Sequence, residues 1–169
     1  MKKRICAIAI VLVMIFSMSA CGSGSVSDAL AQLIEGNVTG EVGKTYKTQW
    51  FSFKVESIEF VKDYKGYEPE DGYDLIDVVI TETNIFDDVD PMGTFDFCVD
   101  AESFYDWIWP LDPFDPSMMP MEFDLDVDET VTYHMVYEVP EDEDDMFLQY
   151  TEWDDADNEG ATFKIPIKK

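Results

Sequence analysis

The sequence predicts an all-β protein, an antiparallel sandwich of seven or eight strands. Beyond residue 43, apolar residues alternate with polar ones at a period of two, the period of a strand that buries one face. Turn-forming residues interrupt this alternation roughly every ten residues, and no long segment shows the 3.6-residue period of a helix. Short strands with regularly spaced turns are typical of a β-sandwich.

The predicted strands differ in pattern along the chain. Phe51, Phe53 and Val55 alternate with polar neighbours, and the parity then shifts near residues 56–57, which predicts a β-bulge there. Segment 73–84 is β-branched on both faces, so we expect a central strand. Further strands are predicted at 95–99, 121–127, 131–137, 147–153 and 161–167. The last two form a predicted hairpin around D-D-A-D-N-E-G.

The N-terminal residues have the pattern of a secretory signal. A basic start precedes an unbroken apolar run at 5–16, shorter than the about 20 residues that a membrane-spanning helix needs. Ser19 and Ala20 are small, as a signal peptidase requires, and Cys21 follows directly. This arrangement resembles the bacterial lipobox, in which the cysteine thiol receives a diacylglycerol. We therefore expect a signal peptide at 1–20, a lipidated Cys21 with a flexible tether at 21–43, and a folded domain at 44–169.

The charge of the chain excludes some partners. All 37 acidic residues lie beyond residue 20, where only eight basic residues remain, so the expected mature chain carries a formal charge of −29. From residue 66 to 163 there is no Lys or Arg. Such a surface repels phosphate backbones, so nucleic-acid binding is not expected. Apolar residues make up 46% of the chain, which is enough for a folded core.

No catalytic constellation is spelled out by the sequence. His134 is the only histidine and lies within a predicted strand, so it is interpreted as a hydrogen-bonded sheet residue. Phe95, Phe97 and Val99 are predicted to share one strand face and Cys98 the other, which makes Cys98 a packed or half-exposed structural thiol. The 37 acids make any carboxylate pair uninformative about glycosidase chemistry. We expect no enzyme activity.

Five segments together resemble a family of Gram-positive lipoproteins. In order, they read G-K-T-Y-K-T-Q-W-F-S-F-K-V-E-S-I-E, Y-D-L-I-D-V-V-I-T-E-T-N, D-E-T-V-T-Y-H-M-V-Y-E-V-P, F-L-Q-Y and F-K-I-P-I, across residues 40–167. The family carries an immunoglobulin-like domain of unknown function, similar in fold to a mycobacterial secreted immunoprotective antigen. The resemblance implies an extracellular immunoglobulin-like sandwich and carries over no catalytic residue.

A weak calcium site is the one cofactor the sequence suggests. Asp155, Asp157 and Glu159 stand at alternate positions before Gly160, which imitates the first half of an EF-hand loop. The twelfth position of that loop is Pro166 rather than the bidentate Glu that the motif requires. A plain hairpin turn is therefore the preferred interpretation, and no metal is firmly assigned.

The segment F-Y-D-W-I-W-P is the second candidate site. Tyr105, Trp107 and Trp109 share one face of an extended chain. Buried, they would close one end of the sandwich, and this is the preferred interpretation. If they are exposed, they would form a platform for sugars or an extended peptide, because ring faces stack on such ligands and nearby carboxylates accept hydrogen bonds from hydroxyl or amide groups.

These observations together predict a cell-surface lipoprotein whose domain is a non-catalytic binding module. Its expected location is the extracellular face of a Gram-positive cell membrane, held by lipid, with a cell-envelope glycan or protein as partner. The alternatives are a carbohydrate- or peptide-recognition domain that uses the aromatic segment, and a purely structural envelope protein. Exposure of Trp107 and Trp109 favours recognition, and burial of both favours the structural role.

Overall fold

The computed structural model describes residues 36–101, 106–153 and 159–169, all within one compact unit that spans 32–169. The strands are β1 (Asn37–Thr39), β2 (Thr45–Lys47), β3 (Phe51–Val61), β4 (Tyr73–Asn84), β5 (Asp90–Met92), β6 (Phe97–Ala101), β7 (Phe123–Leu125), β8 (Thr130–Pro140), β9 (Met146–Trp153) and β10 (Glu159–Ile167). A 3-10 turn, Thr94–Asp96, precedes β6.

The strands form an immunoglobulin-like β-sandwich, as predicted. One sheet has the order β2–β3–β4–β8 and is antiparallel throughout. The facing sheet has the order β1–β10–β9–β6, in which only the short β1 runs parallel to its neighbour. β5 and β7 form a separate two-stranded ribbon. The described residues form ten strands, and the predicted segments correspond to β3, β4 and β6–β10, whereas the short β1, β2 and β5 were not predicted.

Several details of the sheet agree with the sequence patterns. The central strand β4 lies between β3 and β8, as the β-branched segment predicted. The register of β3 against β4 shifts between Val55 and Ser57, where the change of parity predicted a bulge. The predicted hairpin is the antiparallel pair β9–β10.

Other boundaries were wrong. Strand β1 belongs to the second sheet although it lies within the predicted tether 21–43, because Val38 is its one buried apolar residue and gives no alternation to detect. The predicted strand 121–127 shortens to Phe123–Leu125. Phe95 does not share the buried face with Phe97 and Val99, because it lies in the 3-10 turn and is exposed.

The core lies between the two sheets and is rich in aromatic rings. At one end, five rings pack edge to face or tilted, with centroids 5.1 to 6.4 Å apart. They are Phe51, Phe53, Phe97, Tyr150 and Phe163. We call this set the buried ring cluster. It joins both sheets and so fixes how they lie against each other.

Candidate functional site

The two tryptophans lie on an extension of the second sheet. Ile108 forms an isolated antiparallel bridge with Val99 of the edge strand β6, in which each N–H donates to the other residue's carbonyl at 2.9 and 2.8 Å. Ile108 packs against the core. Because side chains alternate along an extended chain, Trp107 and Trp109 point the other way, to the outer face.

Both tryptophans are exposed, so the preferred interpretation of them as core residues was wrong. Trp107 is 47% and Trp109 40% exposed. Their rings are 5.9 Å apart at 87°, and Trp109 also contacts the exposed Phe95 at 5.8 Å and 72°. Sequence parity showed that the two indoles share a face, but it did not show which face the sheet buries. We call Phe95, Trp107 and Trp109 the exposed ring cluster.

The exposed ring cluster lines a cleft of about 240 Å³ on the outer face of the second sheet. The other lining residues come from the 3-10 turn, β6 and β9: Asp96, Cys98, Gln149, Tyr150 and Thr151. Cys98 and Gln149 are paired across β6 and β9, and both are buried. The cleft therefore has rigid sheet at its base and aromatic rings around it.

Asp96 is the acidic group of the cleft. Its Oδ2 accepts a hydrogen bond from the Gly93 N–H at 2.7 Å, which holds the carboxylate against the start of the 3-10 turn. A Cβ on Gly93 would lie 2.3 Å from the Met121 carbonyl oxygen, so only glycine allows this close approach. Asp96 also lines a second cavity of about 540 Å³. Phe95 and Asp96 are shared between the two cavities.

Burial and two further acids shape the electrostatics around Asp96. Burial raises the pKa of Asp96 to about 6, the Gly93 N–H opposes this rise, and the charge of Asp90 adds to it. Glu82 of β4 points into the sandwich with only 1% of its surface exposed, and neither carboxyl oxygen has a hydrogen-bond partner. Burial, Asp96 and Asp90 together raise the pKa of Glu82 well above its ordinary value. Burial thus favours the protonated, uncharged form of Glu82, and the acid that lines the cleft itself is Asp96.

His134 and Cys98, the two residues considered for catalysis, make contacts typical of residues with a structural role. His134 Nδ1 lies 2.9 Å from Asp77 Oδ1 across β4 and β8, so the prediction of a hydrogen-bonded sheet residue is confirmed. Cys98 is 6% exposed, and burial raises the pKa of its thiol to about 11. A thiol with a raised pKa is a poor nucleophile at neutral pH. The prediction of a packed structural thiol is also confirmed.

Some predicted sites lie outside the described residues. These are Cys21, Tyr105, Asp155 and Asp157, and of Glu159 only the backbone position at the start of β10 is described. Calcium binding and lipidation therefore stay predictions. Within the described ranges, no group of three or more His, Cys, Asp or Glu side chains is placed to hold a metal ion. In the same ranges, no helix has the length and apolarity to cross a membrane.

Sequence reasoning missed two residues of the cleft, Phe95 and Asp96, and one buried acid that interacts with Asp96, Glu82. Phe95 was assigned to a strand face, while Asp96 and Glu82 were counted only as part of the general acidity. For Glu82 a signal was available, because strand alternation places it on the same face as the apolar residues Val78 and Ile80. For Asp96 there was none, since its place depends on the 3-10 turn.

Comparison with known proteins supports the fold. No protein-family profile matches the chain, and no curated protein does. A candidate lipoprotein from Bacillus subtilis, YcdA, is 18% identical over 72% of this chain, with a TM-score of 0.56. This chain spans 38% of that structure's length. A β-sandwich protein from Clostridium difficile is 16% identical over 78% of this chain and 95% of its own, with a TM-score of 0.54.

The secreted protein MPT63 of Mycobacterium tuberculosis has a similar fold. It is 13% identical over 76% of this chain and 97% of its own length, with a TM-score of 0.55. The sequence resemblance implied a fold of this kind, and that part of the expectation is confirmed. At these identities the likeness extends to the fold alone.

Proposed function

We propose that this chain is a non-catalytic extracellular binding module and that the cleft beside the exposed ring cluster is its ligand site. The observation that carries the proposal is the exposure of Phe95, Trp107 and Trp109 on a cleft that the partly buried carboxylate of Asp96 also lines. Exposed apolar groups that form a contiguous patch mark binding sites on soluble domains, whereas singly scattered ones do not. Aromatic rings with a few placed polar groups are the usual lining of such sites.

The exposed indoles favour recognition over a purely structural role. A domain that only bridges or fills the envelope gains nothing from solvent-exposed indoles, because their burial would be favourable by about 25 cal/mol per Å² of apolar surface. Trp107 and Trp109 contact each other yet keep nearly half of their surface in water. A ligand that covers them would gain this burial.

Carbohydrate is the second candidate ligand. Gln149 and Thr151 line the cleft together with the rings, and Gln149 Nε2 lies 3.5 Å from Thr151 Oγ1. Amide and hydroxyl groups next to ring faces can hydrogen-bond sugar hydroxyls while the sugar ring stacks on an indole. This arrangement favours a neutral sugar as the alternative to a peptide.

Glycan and peptide arrays test the site. Full-length chain in non-ionic detergent micelles should bind a restricted set of array members, and a Trp107→Leu, Trp109→Leu double variant should lose them. Phe114→Leu is the matched control, because Phe114 is 48% exposed but stacks on Tyr67 away from the cleft. Equal binding by the double variant and the wild type would remove the cleft from the proposal.

The proposed location is the outer face of a Gram-positive cell membrane, with a lipid on Cys21. The support is the basic, apolar and small-residue order that precedes this cysteine. Metabolic labelling with a palmitate analogue should mark the full-length protein but not a Cys21→Ala variant. Equal labelling of the two forms would show that the lipid is not on this residue.

A further inference from the structure

The chemistry around the cleft favours one class of ligand over a neutral one. Ring faces carry a negative quadrupole, so exposed Trp and Phe rings attract a cation within about 6 Å of their centroids. The exposed ring cluster places three such rings at centroid separations of 5.8 and 5.9 Å, with the Asp96 carboxylate on the same cleft. Rings around a carboxylate are suited to hold a positively charged group.

The charge near the cleft points the same way. The second cavity, which shares Phe95 and Asp96 with the cleft, adds the acids Glu122 and Asp124. Asp106 lies beside Trp107, whose backbone N–H donates to its Oδ1 at 3.0 Å. Lys164, whose charge opposes the rise that burial causes in the pKa of the Cys98 thiol, is paired with Asp100 at 2.6 Å. That pairing leaves the acids of the cleft and the second cavity to act on a ligand.

The buried carboxyl of Glu82 is a separate observation. It is almost fully buried, lacks a hydrogen-bond partner, and interacts electrostatically with both Asp96 and Asp90. An ionised carboxyl at this depth is costly, so burial favours the protonated form of Glu82. The negative charge that a cation in the cleft would meet is therefore that of Asp96, the acid that lines it.

The sizes of the two cavities indicate which part of a positively charged ligand each one can hold. The cleft, at about 240 Å³, is smaller than the roughly 300–1,000 Å³ of sites that enclose a whole small molecule. The neighbouring cavity of about 540 Å³ shares Phe95 and Asp96 with the cleft. A side chain in the smaller space with its main chain over the larger one matches this pair of cavities.

Resting on the proposed binding role of the cleft, we propose that the ligand is a peptide or protein segment that packs a lysine side chain against the exposed surfaces of Trp107, Trp109 and Phe95, with its ammonium against Asp96. The aliphatic stem of the lysine packs on the indoles, and its ammonium forms an ion pair with the Asp96 carboxylate. The main chain of the peptide then lies toward Glu122 and Asp124, and these two acids favour a second basic residue in the peptide.

The test compares three probes at constant ionic strength, with full-length chain in non-ionic detergent micelles. The probes are a short capped peptide with one central lysine, the same peptide with norleucine in its place, and a neutral chito-oligosaccharide. We expect the lysine peptide to bind about tenfold more tightly than the norleucine peptide, equivalent to about 1.4 kcal/mol. Constant ionic strength is needed because a strongly acidic chain attracts any cation over a Debye length.

Matched variants separate a specific site from general attraction. Asp96→Asn should remove most of the preference for lysine and leave norleucine binding unchanged. Asp112→Asn removes the same charge from an exposed position that lines neither cavity and should change little. Equal losses in these two variants would overturn the inference, because they would show attraction by overall charge.

The outcomes also separate this inference from the proposed function. Equal affinity for the lysine and norleucine peptides, or binding of the oligosaccharide alone, overturns the lysine inference. If that binding is lost in the Trp107→Leu, Trp109→Leu variant, the cleft is still a ligand site and the proposed function stands. If every probe binds the double variant as tightly as it binds the wild type, the lysine inference and the proposed function are both overturned.

Discussion

The buried ring cluster and the exposed ring cluster lie next to each other but differ in how far a second layer of structure covers them. Phe97 belongs to the first and Phe95 to the second, only two residues apart along the chain. The buried rings contact both sheets, whereas the exposed rings contact one another and the outer face of one sheet. Aromatic content alone therefore does not distinguish core from exposed surface. What distinguishes them is whether a second layer covers the ring.

The surroundings of the two clusters also differ in charge. One acidic side chain, Glu82, points inward next to the buried ring cluster, directly opposite Phe53 in the sheet register. Its neighbour Asn84 is also inward, but its amide donates to the Asp88 and Leu125 carbonyls at 2.8 Å. Asn84 is thus a satisfied polar residue and Glu82 is not. Polar groups at this end of the core are tolerated for different reasons, and only Asn84 stabilises the fold.

The largest expected effect follows from cutting into the buried ring cluster. Phe53→Ala should lower the free energy of unfolding by about 3–5 kcal/mol, because it leaves a cavity among four other rings. Phe95→Ala is the matched change in the exposed cluster and should cost under about 1 kcal/mol. Urea unfolding of the full-length chain in micelles measures both. Similar losses in the two variants would mean that the clusters do not differ as described.

Replacing Glu82 should stabilise the protein. Glu82→Met removes a buried carboxyl that has no hydrogen-bond partner and keeps a similar volume, so the free energy of unfolding at pH 7 should rise by about 1–3 kcal/mol. Glu59→Met, an exposed position of β3, is the control and should change stability by less than about 0.5 kcal/mol. A destabilised Glu82→Met variant would show that the carboxyl has a favourable role in the fold.

Asp96 should make the protein more stable in mild acid. Its pKa is raised from 3.8 to about 6 in the folded state, so between these values the folded chain holds a proton that the unfolded chain has lost. The cost of ionising Asp96 is absent below the unfolded value, grows as the pH rises toward 6 and is complete above it. Stability should therefore increase as the pH falls from 7 to 5.

The Asp96→Asn variant isolates this contribution. The amide oxygen can still accept the Gly93 N–H, but it does not titrate. The gain in unfolding free energy between pH 7 and 5 should be smaller in the variant by on the order of 1 kcal/mol, a value reduced from the pKa shift because solvent reaches the partly exposed group. Identical pH profiles for the two proteins would contradict a raised pKa at this residue.

The smallest effect concerns the exposed indoles. Replacing Trp107 and Trp109 with leucine should change the free energy of unfolding by less than about 0.5 kcal/mol for each residue. Their fluorescence should report the local potential, so, relative to the quenching of free N-acetyltryptophanamide by each ion, caesium should quench the emission lost in the double variant more strongly than iodide does. Equal relative quenching by the two ions would remove the negative potential from the description of the cleft.

The sequence was most informative where one face of a strand is buried. The alternation of Phe51, Phe53 and Val55, the parity change after Val55 and the β-branched β4 all follow from side-chain direction, which has a period of two in any strand. These local rules predicted the sandwich and the bulge correctly. They failed for β1, where three residues form a strand only because β10 is there to pair with them.

What the sequence alone determined, then, is the β-sandwich, its strongly acidic surface and the fact that Trp107 and Trp109 share one face. Only the tertiary structure decided that this face is the outer one, because a single bridge between Ile108 and Val99 turns Ile108 toward the core. It also decided that Asp96 joins the rings, through a 3-10 turn with no sequence period. The physical reason is that alternation fixes the relative direction of neighbouring side chains, while burial depends on which distant strands cover them.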